Sequence, residues 1–137
     1  MPKKGMVWVY SPPKSPKPKV PDAVRQEVIE KANTLVETLL KPKFIKPPPP
    51  DERFNYIVDI FTKWFRGYLY FCATYHCPGP NAISPSFETR FTRLEYAGPD
   101  RFNLAYMRYT EQWQEVYRDL SLDECLESIR EEAFFWP

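Results

Sequence analysis

The stretch Arg53-Phe54-Asn55-Tyr56-Ile57-Val58-Asp59-Ile60-Phe61-Thr62-Lys63-Trp64-Phe65-Arg66-Gly67-Tyr68-Leu69-Tyr70-Phe71-Cys72-Ala73-Thr74-Tyr75 sets the fold class. Phe54, Tyr56, Val58, Ile60 and Thr62 alternate with Asn55, Ile57, Asp59, Phe61 and Lys63, a period of two that belongs to a strand. A second run, from Tyr68 to Tyr75, follows Phe65-Arg66-Gly67, so the pair reads as a hairpin with Gly67 supplying the turn torsion.

Downstream, His76-Cys77-Pro78-Gly79-Pro80-Asn81-Ala82-Ile83-Ser84-Pro85 carries three prolines, which cannot sit in a ladder, so it reads as a surface excursion. A third strand is expected from about Ser86 to Tyr96, a turn at Ala97-Gly98-Pro99-Asp100, and further strands near 101–109 and 112–118. Leu120-Ser121-Leu122-Asp123-Glu124-Cys125 has the pattern of a capping box, with Leu120 and Cys125 placed as a hydrophobic staple. A helix over about 122–132 is expected, with Leu122, Cys125, Leu126 and Ile129 inward. The terminal Phe134-Phe135-Trp136-Pro137 is expected to dock, because exposing three rings is costly.

Upstream, Val24, Val28, Ala32, Leu35, Val36, Leu39 and Leu40 recur at three- and four-residue steps, predicting an amphipathic helix over 21–40. Pro21 and Asp22 suit its first turn, and Pro42 is expected to end it. Residues 41–52 read as a Pro-rich linker inside a single domain of residues 21–137, and residues 1–20 as a basic, Pro-rich arm. The fold class is therefore α+β: an antiparallel meander of about five strands flanked by an N-terminal and a C-terminal helix. Helices on one side would cover one sheet face and leave aromatic side chains on the other for a partner, a second subunit or the arm.

Composition bounds the function. With 137 residues, 43% of them hydrophobic and 17% aromatic, the chain is too apolar to stay disordered. No run approaches the roughly 18 apolar residues that span a bilayer, so no membrane association is expected and the protein reads as cytoplasmic. Three cysteines cannot all pair, and reduced thiols are the default. The net charge of +1 divides unevenly: the first fifty residues carry ten Lys/Arg against four Asp/Glu, the remainder nine against fourteen. The arm holds Lys3, Lys4, Lys14, Lys17 and Lys19 and no acid, together with Trp8 and Tyr10. Its prolines favour an extended polyproline-like course, and Pro13-Lys14-Ser15-Pro16 has the spacing that aromatic grooves accept.

Cys72, His76, Cys77 and Cys125 are the right ligand types for a closed zinc site, but their spacing matches no familiar knuckle, and buried thiols are the preferred reading. Adjacent His76 and Cys77 would point apart on a strand end, which argues against a nucleophile pair. Asp59, Glu88, Glu95 and Glu115 lie among Arg90, Arg93, Arg101 and Arg108, so cross-strand ion pairs are expected rather than an acid–base dyad. Four scattered glycines form no phosphate-cradling loop. No cofactor is expected and nothing here argues for an enzyme. The expected activity is protein–protein interaction or self-association, through the arm lysines, Trp8, Tyr10, Tyr68, Tyr70, Tyr106 and Trp113. The alternative is single-stranded nucleic-acid binding, with arm lysines on phosphates and Tyr68, Tyr70, Phe91, Tyr106 and Trp113 stacking on bases.

The order Phe91-Thr92-Arg93-Leu94-Glu95-Tyr96, then Phe102 to Arg108, then Trp113 to Tyr117, then Leu122-x-x-Cys125-Leu126-x-x-Ile129 and a closing Phe135-Trp136, resembles bacterial domain-of-unknown-function family 3024 over roughly the second half of the chain. The resemblance implies a helix, sheet, helix layout. It carries no activity with it.

Overall fold

A computed structural model describes residues 18–137. Helix α1 (Asp22–Leu35) starts from an extended Pro21, whose carbonyl accepts the Arg25 N–H at 3.0 Å. It continues through a wider π-helical turn at Val36–Leu40 into α2 (Lys41–Phe44). Five strands follow: β1 (Tyr56–Phe65), β2 (Tyr68–His76), β3 (Ser86–Gly98), β4 (Arg101–Met107) and β5 (Trp113–Leu120). Helix α3 (Leu122–Glu131) and a 3₁₀ turn (Ala133–Phe135) close the chain. The sheet is an antiparallel meander in the order β1-β2-β3-β4-β5.

Two expectations need correction. Pro42 does not end the first helix. In the π turn the Lys41 N–H bonds to the Val36 carbonyl, five residues back, so the ladder has already changed register before the proline withholds its N–H. Nor does Gly67 supply the hairpin torsion; Arg66 does, with φ 57°. The Gly67 carbonyl instead accepts the Tyr96 N–H at 2.9 Å, tying the hairpin turn to β3.

The core lies between one sheet face and the helices. Val28, Ala32, Leu35 and Leu40 pack with Ile60, Leu69, Phe71, Leu94, Phe102 and Leu104, and with Leu122, Cys125 and Ile129 of α3. Hydrogen bonds fix the layers: the Trp64 indole donates to the Arg25 carbonyl at 3.2 Å, and the Thr62 hydroxyl to Asn33 Oδ1 at 2.6 Å. The capping box forms as expected, the Ser121 hydroxyl accepting from Glu124 N while the Glu124 carboxylate accepts from Ser121 N. The aromatic tail docks through Phe135 and Trp136, while Phe134 stays 45% exposed. Phe135 is fully buried, its carbonyl accepting the buried Thr92 hydroxyl at 2.8 Å, and the Trp136 indole donates to the Ile129 carbonyl.

Candidate interaction surface

Among the described residues all the helices lie on one side, and no described helix or strand packs on the other sheet face. What reaches it is decided by a single extra residue. Arg90 and Arg93 are an odd number of positions apart on β3 and in a regular strand would face opposite ways. The pairing runs Tyr70 to Arg93 and Cys72 to Arg90, with an irregularity between them that leaves Phe91 as the surplus residue. The bulge turns Phe91 and Thr92 into the core and brings both arginines to the open side.

There they meet aromatic rings. The Arg93 guanidinium lies 4.5 Å from the Tyr68 ring centre and 4.5 Å from that of Trp113, and the Arg90 guanidinium 4.4 Å from Tyr70. Tyr70 in turn touches Tyr68 at 5.8 Å and Trp113 at 5.7 Å between centroids. Strands β2 and β5 have two strands between them, hence backbones roughly 14 Å apart at the usual spacing. Contact between Tyr70 and Trp113 means that the two side chains lean towards each other across β3 and β4, and the irregularities between β2 and β3, β3 and β4, and β4 and β5 favour a curl that brings them closer. Small Ala105 on β4 leaves the space. The result is a trough in which Tyr70, beside Tyr68, Trp113 and Arg90, is 5% exposed although no described helix covers it.

Glu95 borders the trough. It accepts from the Tyr68 hydroxyl at 3.3 Å and from Asn103 Nδ2 at 3.2 Å, while Asn103 Oδ1 accepts the Asp119 N–H. Near the start of the described chain a cavity of about 600 Å³ opens among Lys19, Arg25, Arg66, Tyr68, Glu95 and Tyr96. The Arg25 guanidinium donates to the Arg66 carbonyl across its wall and stacks over Trp64.

Of the residues singled out from sequence, Tyr68, Tyr70 and Trp113 come together in the trough. Tyr106 does not; it lies on the helix-covered face against Phe134 and Phe135. Lys19 is exposed at the cavity, whereas Lys3, Lys4, Trp8, Tyr10, Lys14 and Lys17 lie outside the described residues. Cys72 belongs to the open face and Cys125 to the core under α3, so the sheet separates them and the four-residue zinc set does not assemble. Among the described residues no group of three or more His, Cys, Asp or Glu converges as a metal site. Burial pushes the Cys72 thiol up, and burial with Glu124 and Asp100 nearby pushes Cys125 up to about 12, so both are neutral thiols at ordinary pH. His76 packs edge-on against Tyr56.

The carboxylates pair with cations other than the expected arginines, and not as direct neighbours across a strand pair. Asp59 pairs with Lys41, Glu88 with Lys63 and Glu115 with Arg118. Arg90 and Arg93, expected to neutralise such carboxylates, stack on rings instead. Sequence reasoning missed them because strand alternation gives no sign of a bulge.

A helix, an antiparallel meander and a closing helix, the two helices on one sheet face, define the class as a small α+β domain. A family model, Domain of unknown function (DUF3024), matches residues 20–137, and the chain belongs to that family. The match starts just before α1, so the likeness extends well beyond the second half. No curated protein and no solved structure matches the chain.

Proposed function

We propose that the chain is a non-catalytic interaction module that receives a protein partner in the open trough. The observation that carries this reading is the Arg93 guanidinium held between the rings of Tyr68 and Trp113. Tyr, Trp and Arg are the residues on which interface energy concentrates, and a stacked arginine loses little freedom when a partner arrives. The alternative of base stacking requires open ring faces. Tyr70 and Phe91 are 5% and 6% exposed and Tyr106 lies beneath the C-terminal rings, so three of the five rings offered for stacking are covered. Three free thiols, two of them buried, fit a reducing, cytoplasmic setting.

Native mass spectrometry of the protein purified without added metal tests the proposal. A dimer or hetero-complex that Trp113→Ser disperses is the expected result. A complex indifferent to Trp113→Ser, or bound nucleic acid in place of protein, overturns it.

A further inference from the structure

The two arginines of the trough have an unused capacity. Each guanidinium carries five N–H donors in its plane, and a ring beneath it occupies the face and leaves the edge free. The neighbouring carboxylates are engaged elsewhere, Glu88 by Lys63, Glu115 by Arg118, and Glu95 by Tyr68 and Asn103. Among the described residues neither the Arg90 nor the Arg93 guanidinium donates a hydrogen bond or pairs with a carboxylate; their contacts are the rings of Tyr70, Tyr68 and Trp113. Half-buried Arg93 is held from two sides, a placement suited to two parallel hydrogen bonds with a planar anion.

Spacing narrows the ligand. Arg90 and Arg93 stand opposite Cys72 and Tyr70, two residues apart on one strand, which puts their backbones about 6.6 Å apart at the usual rise. Carboxylates at positions i and i+2 of an extended peptide repeat at the same interval and emerge on the same side. We propose that Arg90 and Arg93 form a clamp for an acidic, extended peptide segment of a partner protein, with paired Asp or Glu side chains two residues apart. Glu88, Glu95 and Glu115 along the same face disfavour a continuous phosphate backbone, whereas a peptide can place neutral side chains beside them. The inference rests on the reading of the trough as a protein-binding surface and adds the chemistry of its partner.

The test is fluorescence anisotropy of the full chain with a labelled Glu-Val-Glu-Val-Glu-Val peptide at low ionic strength, against its Gln-Val counterpart. Binding of the Glu peptide alone is expected, weakened about tenfold or more by Arg90→Gln and by Arg93→Gln, since a charge-assisted pair contributes on that order. Arg93→Lys should not restore it, because an ammonium cannot present the stacked fork. Thermal melts establish that each variant folds, and exposed Arg90 keeps the test open should Arg93→Gln unfold. No binding by the wild type, or undiminished binding by the double variant, sinks the clamp. Tighter, equally arginine-dependent binding of a thymidine oligonucleotide reassigns the pair to phosphate and overturns it too. A native complex lost in Trp113→Ser but kept in Arg90→Gln would remove the clamp and leave the interaction reading standing. Indifference of the complex to both variants removes both.

Discussion

At the scale of single residues, burial sorts the three thiols. Cys72 and Cys125 are 1% and 0% exposed, whereas Cys77 is half-buried beside the loop after β2. Thiol titration of the folded protein should therefore modify Cys77 first, with Cys72 and Cys125 reacting only on unfolding; early loss of all three would contradict the packing. Cys125 also makes stability depend on pH. Its folded pKa of about 12 lies above the 9.0 of an unperturbed thiol, so the unfolded chain gives up its proton first as pH rises. Stability should be intact below about pH 9 and fall towards pH 12, and Cys125→Ala should flatten that slope in thermal melts. The place of Cys125 in the core is legible from its apolar neighbours along the helix. The stacking of Arg90 and Arg93 is not, because charge alone suggests partners of opposite sign and the ring contacts depend on a register the letters do not reveal.

At the scale of elements, the closing helix is the most legible piece, since its cap is a local pattern of four residues and needs no tertiary context. Replacing Ser121 with Ala should cost about 1 kcal/mol in urea unfolding, the usual worth of a capping hydroxyl, with an unchanged m value. Phe135→Ala should cost about 3–5 kcal/mol, because the ring is fully buried and a cavity would open beside Thr92. If that variant loses less than the Ser121 variant, the docked tail is not part of the core. The first helix is less legible. Its apolar spacing predicts the buried face correctly, but Pro42 points to a stop that the π turn avoids, and a π turn has no sequence signature comparable to a cap.

At the scale of the whole molecule, a meander with all its described helices on one side follows from alternation, proline placement and two amphipathic segments. The curl does not, because it depends on the sum of several one-residue irregularities. In the loop between β2 and β3, Asn81 to Ser84 are exposed and Ile83 wholly so. Thermolysin, which cuts before large apolar residues, should nick the folded protein between Ala82 and Ile83. The halves should still elute together, because the β2 and β3 ladder from Tyr68 to His76 holds them. Separation on nicking would mean that the ladder is weaker than its pairing indicates.

The surplus residue at Phe91 gives β3 a phase boundary. On one side of it odd-numbered Thr89 faces the helices, and on the other even-numbered Thr92 and Leu94 do. Deleting Phe91 would remove that boundary and restore strict alternation, keeping Thr89, Thr92 and Leu94 inward and Arg90 and Arg93 outward at the cost of one core ring. The domain can thus change its trough side chains by substitution, and the surplus position is where β3 can lose a residue without exchanging its inside for its outside.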